Sequence, residues 1–189
     1  AIKHDLKKGH LLAFNAAFDR SDLRFGQDSD LVLANIAKAV RTAQDRGWTI
    51  VVAAHKTIDR KIEIFLDGAG VNYETYDLSA ASQDEILSFY ARVDFVLGMR
   101  GHSQMIPFGL RRPIMSIVSH EKMQFFLRDI GRPSWGVEVC SSDLEKQLIK
   151  MLGNIEGKRH AVHEDIAGLQ QKVWAETEAN FSTIKSIIN

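Results

Sequence analysis

From residue 11 to about residue 153, short β-rich runs alternate with stretches in which apolar residues recur at helical spacing. The first run covers residues 11–18, and a polar loop from Asp19 to Asp28 follows it. Leu33, Ile36, Ala37 and Val40 then step by three and four, which predicts a helix that Gly47 ends. Residues 48–54 are almost continuously apolar, as a strand covered on both faces should be. A helix over 59–66 stops at Gly68 and Gly70, and a third strand spans 73–78. Ser82 and Glu85 have the spacing of a capping box, each able to satisfy the other's free backbone amide, and open a helix to about Arg92.

The alternation continues with a strand over 94–98, a helix over 103–110 and a strand over 113–118, whose proline takes the first position, where no ladder donor is needed. A helix over 122–129, a sixth strand over 136–139 and a second capping box, Ser142 with Glu145, opening a helix to about Gly153, complete the series. Such alternation is the mark of βαβ units. The predicted fold class is α/β, a Rossmann-like parallel sheet of about six strands flanked by helices. Residues 161–188 stand outside the series as one long amphipathic helix with Val162, Ile166, Leu169, Val173 and Trp174 along one side. The expected division is residues 1–160 as the ligand-binding α/β domain and 161–189 as a helix packed on or beyond it.

At 189 residues and 45% apolar content the chain can bury a full core. Its 24 basic and 24 acidic residues cancel, which argues against nucleic acid or an anionic membrane as partner. Between Arg92 and Arg132, however, seven Arg and Lys face three acids, and that local excess suits a small anionic ligand. The single Cys140 forms no intramolecular disulfide, residues 1–9 are too polar for a signal peptide, and no apolar run spans a bilayer, so a cytoplasmic protein without membrane insertion is expected.

In open parallel sheets ligands bind beyond the carboxyl ends of the strands, where loops splay and helix N-termini point at the site. The predicted strand ends select residues 15–20, His55 with Lys56, Tyr76 with Asp77, residues 100–103 and residues 119–122. The fourth segment carries most chemistry. Arg100 offers a fork that matches carboxylate or phosphate, Gly101 permits close backbone approach, Ser103 stands where helix amides can receive an anion, and His102 exchanges protons near neutral pH. Asn15, His55, His120 and Lys122 are further candidates for substrate contact. His160 and His163, beside Glu164 and Asp165, are read as incidental polarity, and neither a metal nor a cofactor is expected.

The series Val93 to Ser103 with its Arg100-Gly101-His102, then Pro107 to Ile114, His120-Glu121-Lys122 and Phe126 to Gly131, resembles the polysaccharide pyruvyl transferase family over about forty residues. The resemblance implies the C-terminal half of a GT-B-like enzyme that moves pyruvate from phosphoenolpyruvate onto a sugar or glycan as a ketal. It further implies Arg100 as anion ligand, His102 as acid or anion ligand, Lys122 as a second cationic contact, and an N-terminal partner domain outside this chain that holds most of the acceptor. Without that partner, the terminal helix would pack on its own domain or pair between copies in a homo-oligomer. Two positions depart from the family pattern. Gly101 replaces a larger apolar residue, and Asn15 stands where an arginine is usual, with Arg20 and Arg24 later in the loop. Two alternatives stand beside this expectation, a GT-B glycosyltransferase using a sugar nucleotide and a non-catalytic binding module of the same fold.

Overall fold

The structure is a computed structural model that describes residues 10–157 and 159–188, apart from the side chains of Gln27, Arg159 and His160. The polar segment 1–9 and the side chain of His160 in the His160/His163 pair therefore lie outside what is described. Six strands, β1 (Leu11–Asn15), β2 (Thr49–Ala54), β3 (Tyr73–Asp77), β4 (Phe95–Gly98), β5 (Ile114–Val118) and β6 (Gly136–Glu138), form one sheet in the order β3-β2-β1-β4-β5-β6. Every pairing is parallel. The helices are α1 (Ser21–Phe25), α2 (Ser29–Asp45), α3 (Ile62–Gly68), α4 (Gln83–Arg92), α5 (His102–Gly109), α6 (Glu121–Asp129), α7 (Leu144–Glu156) and α8 (Arg159–Ile188).

Strand alternation divides the core into two layers. Leu12, Phe14, Ile50, Val52 and Leu97 face Ile36 and Val40 of α2, Leu66 of α3 and Leu148 of α7. Leu11, Ala13, Val51 and Val96 face Tyr90 of α4, Phe108 of α5, Leu127 of α6 and Ile166 of α8. The chain thus winds outward from β1 on one face, crosses over the sheet after β3 and winds outward from β4 on the other. The four inner strands β2, β1, β4 and β5 are buried on both faces, which is why the sequence shows apolar runs there, while the edge strands β3 and β6 keep exposed Glu74, Asp77 and Glu138.

The Ser82–Glu85 box forms as expected, with Ser82 Oγ accepting from Glu85 N and a Glu85 carboxylate oxygen accepting from Ser82 N. The Ser142–Glu145 box does not form. Helix α7 begins one residue later than that box requires, at Leu144, with Asp143 at the cap accepting from the Ser141 hydroxyl at 2.7 Å and from the Gln147 amide. Nor does α7 end at Gly153, because buried Leu152 and Ile155 carry its apolar face through another turn to Glu156.

Helix α8 buries Ile166 and packs Val162, Leu169 and Val173 against the second layer, held by the Arg132–Asp165 ion pair and by the Gln170 amide, which donates to the carbonyls of Phe108 and Gly109. Beyond Val173 it parts from the sheet, and Trp174, Phe181, Ile184, Ile187 and Ile188 are exposed. No helix among the described residues is long and apolar enough to cross a membrane.

Candidate active site

Strand order reverses between β1 and β4, and the carboxyl end of that pair is the switch point at which open parallel sheets hold their ligand crevice. Asn15, the last residue of β1, is in register with Gly98, the last of β4. A side chain at Gly98 would place its Cβ 2.3 Å from Ser103 Oγ and 2.8 Å from Ser103 Cβ, so only glycine lets α5 close over the end of β4. The turn from Gly98 to Gly101 is then tied by Ser103, whose hydroxyl accepts from Arg100 N at 3.1 Å and lies 2.7 Å from the Arg100 carbonyl and 3.1 Å from Asn15 Oδ1. Asn15 in turn donates to the carbonyl of Ala53 at 2.8 Å, linking β1, β2 and α5. Both side chains are fully buried. Asn15 and Ser103, expected to touch substrate, form the floor beneath the crevice, because strand-end polar groups at the centre of a two-faced sheet must bond to each other when water is excluded.

Above that floor lies a charged cluster. Arg100 donates from Nε to Asp59 Oδ2 at 2.8 Å and from Nη2 to Asp59 Oδ1 at 2.6 Å, a two-point fork between side chains that are 9% and 1% exposed. Asp59 also accepts the Lys56 backbone N–H at 3.0 Å, capping the short three-ten turn after β2. The same Arg100 Nη2 lies 3.0 Å from Asp19 Oδ1. Asp19 further meets Arg24 Nη2 and Lys56 Nζ, each at 3.3 Å. Arg24 bridges to β5 by donating to Ser119 Oγ at 2.7 Å. Burial alone would raise the Asp19 carboxyl, but the hydrogen bond and charge of Arg100, with Lys56 and Arg24 behind them, outweigh it and hold its pKa at about 2. Burial likewise works against the charge on Arg100, and the Asp59 and Asp19 carboxylates push its pKa up in spite of it. The residue after Asp19, Arg20, takes the left-handed conformation at φ 56° and ψ 47°, which side chains rarely adopt outside tight turns.

His102 is exposed at the start of α5, 6.0 Å centroid to centroid from the ring of His55 at the end of β2. His55 stacks on Tyr90, its Nε2 lies 2.6 Å from the Tyr90 hydroxyl, and burial together with the neighbouring His102 lowers its pKa to about 4. It is neutral at ordinary pH and pairs with the Tyr90 hydroxyl. Burial raises the Tyr90 phenol, with Asp59 adding to the shift, so the hydroxyl stays protonated. A Cβ at Gly101 would meet nothing within 4 Å, so the space over the first turn of α5 is open.

The last two expected residues lie beyond β5, one strand in from the β6 edge. His120 caps α6, its Nδ1 accepting from Lys122 N at 3.2 Å, and both side chains are exposed. His120 borders a groove of about 260 Å³ lined also by Arg24, Ser119, Glu138 and Cys140. Arg24 is the shared wall between this groove and the Arg100 cluster. Asp19, Asp59 and Tyr90 escaped the sequence reading as site residues. Asp19 fell within a strand-end segment but was passed over for its arginine neighbours, and Asp59 looked like an ordinary helix-opening acid. Among the described residues no group of three or more His, Cys, Asp or Glu is placed to hold a metal ion.

This sheet order and this crevice define a Rossmann-like domain of the GT-B type. Three solved structures share it. An O-GlcNAc transferase mutant of Thermobaculum terrenum superposes at TM-score 0.59 and 14% identity, over 87% of this chain and 32% of that one. A putative UDP-N-acetylglucosamine 2-epimerase of Listeria monocytogenes gives 0.58 and 14%, over 94% of this chain and 46% of that one. The MnaA protein of S. aureus, solved with UDP, gives 0.59 and 13%, over 84% and 39%. At such identities the likeness is one of fold, and the chain spans between about a third and a half of the length of these proteins. By sequence, no family model and no curated relative matches.

Proposed function

We propose that this chain is the donor-binding half of a transferase of the polysaccharide pyruvyl transferase type, taking phosphoenolpyruvate as donor and a sugar or glycan as acceptor. The observation that supports it is the meeting of Arg100 and His102, with Arg24 and Lys56, around one crevice at the β1/β4 divergence. Phosphoenolpyruvate carries a phosphate and a carboxylate, and guanidinium groups on fixed supports are the side chains that hold such a pair. Ketal formation joins two sugar oxygens to the central carbon of the donor, breaks its bond to the phosphate oxygen and converts its methylene to methyl. His102 supplies the proton to the methylene carbon and recovers one from an attacking hydroxyl, while the second hydroxyl proton leaves with inorganic phosphate. Gly101 leaves room for the donor over α5. Lys122 and His120, on the far side of Arg24, stand toward the acceptor or the outgoing phosphate. Most of the acceptor contacts belong to a partner domain outside this chain.

A second reading is a sugar-nucleotide enzyme, favoured by the UDP-related compounds named for two of the fold neighbours. Calorimetric titration of the protein with phosphoenolpyruvate and with UDP-N-acetylglucosamine separates the two. Heat from the nucleotide sugar and none from phosphoenolpyruvate would sink the pyruvyl reading, and binding of either without turnover in the presence of glycan would leave a binding module. With phosphoenolpyruvate as donor, His102→Ala lowers turnover by roughly 10²–10⁴ with little change in melting temperature, the scale of a lost general acid.

A further inference from the structure

We propose that Arg24, Lys56 and Arg100 form a site for a phosphate dianion and that the Asp19 carboxylate is its resident occupant, exchanged when the anion arrives. The proposal rests on the donor reading above and adds how the site is occupied before donor binds.

Two carboxylates lie on Arg100, and they are not equivalent. Asp59 is 1% exposed, grips the guanidinium at 2.6 and 2.8 Å and also holds the Lys56 amide. Asp19 is 33% exposed, and its contacts with Arg100, Arg24 and Lys56 are longer, 3.0 to 3.3 Å. Asp59 is therefore part of the scaffold and Asp19 is the one that can leave.

The cradle survives that departure. Asp59 keeps Arg100 in place, and Arg24 remains anchored through Nη1 to Ser119 Oγ at 2.7 Å and through Nε to the Asp19 main-chain carbonyl at 2.8 Å. Only Lys56, with a side chain 56% exposed, is free to follow its counter-ion. With the Asp19 carboxylate swung out, Asp59 balances one of the three cations and two positive charges are left, the complement of a phosphate dianion. While it is in, an arriving anion meets a like charge and a filled cradle. A carboxylate on three cations drawn from the β1 loop, the end of β2 and the end of β4 occupies the position that a ligand's anionic group needs.

Asp19→Asn, which removes the charge and keeps the shape, tests the exchange by calorimetric titration with inorganic phosphate and with phosphoenolpyruvate at constant ionic strength. The variant is expected to bind phosphate about tenfold tighter than the wild type, a gain of about 1.4 kcal/mol, while Asp19→Glu, which restores the charge, shows no gain. Melting curves identify folded variants, and Asp19→Ser makes the same comparison if the amide is not tolerated. Phosphate affinity unchanged or weakened in the folded neutral variants overturns the exchange. A gain for phosphate with no binding of phosphoenolpyruvate by either protein keeps the exchange and removes the pyruvyl reading. Equal binding of both anions by wild type and variant keeps the donor site and removes the exchange.

Discussion

Arg100 and Lys122 each follow a strand of the sheet into the start of a helix, and the chain treats them in opposite ways. Arg100 stands where β4 lies between β1 and β5, its side chain 9% exposed and clamped by Asp59 from the neighbouring β2 loop. Lys122 stands beyond β5, exposed, and no ion pair holds its ammonium among the described residues. Loops that leave central strands crowd one another and exclude water, so a charge there persists only if it is paired. Lys122 lies outside that crowding, and its charge stays hydrated. The arginine is therefore held in one place, while the lysine keeps an exposed, hydrated charge.

Breaking the clamp is the strongest test of that contrast. Asp59→Ala leaves Arg100 half-paired in a buried place and removes the cap on the turn after β2, and it should cost about 3–5 kcal/mol of stability, the usual penalty for orphaning one member of a buried ion pair. Urea unfolding midpoints measure it. A loss below about 1 kcal/mol would mean that water reaches Arg100 freely and that centre and edge of the sheet do not differ in the way described.

His55 sharpens the same contrast through pH. Its folded pKa of about 4 lies below the unfolded 6.5, so between those values the unfolded chain binds a proton that the native state refuses. Stability is full above pH 6.5 and falls as pH drops toward 4, by at most about 3 kcal/mol from this group. His55→Gln, which keeps a neutral partner for Tyr90, should flatten that portion of the stability profile. Wild type and variant with parallel profiles from pH 7 to 4 would place His55 in water and outside the packed centre.

The order of strands and helices, and the crevice as a location, were legible in the chain because burial on both faces writes itself as apolar runs and loops as polar ones. The position of Arg100 and His102 at a strand end was legible for the same reason, since they directly follow such a run. Asp59 and Asp19 were not, because their role depends on three loops, from β1, β2 and β4, being brought together by strand order, and spacing in sequence carries no trace of that pairing. Asn15 is a related case. A polar residue at a strand end looks the same in sequence whether it faces a ligand or bonds to Ser103 and Ala53 beneath one. Arg24 shows the converse, for an arginine nine positions past the end of β1 folds back through α1 to reach the Asp19 carboxylate beside Arg100.

The smallest expected effect belongs to Lys122→Ala. An exposed ammonium contributes little to folding, so the stability change should stay within about 0.5 kcal/mol. On the proposed donor reading, binding of phosphoenolpyruvate should weaken a few-fold at low salt, and the loss should shrink at physiological ionic strength, where charges farther apart than about 8 Å are screened. A direct contact behaves otherwise, because a desolvated cation touching phosphate is screened far less by salt. The salt dependence of the loss therefore distinguishes a steering charge from a ligand. A hundredfold weakening that persists at physiological salt would make Lys122 a contact residue, extend the proposed donor site past Arg24 to the start of α6, and erase the distinction between Arg100 and Lys122.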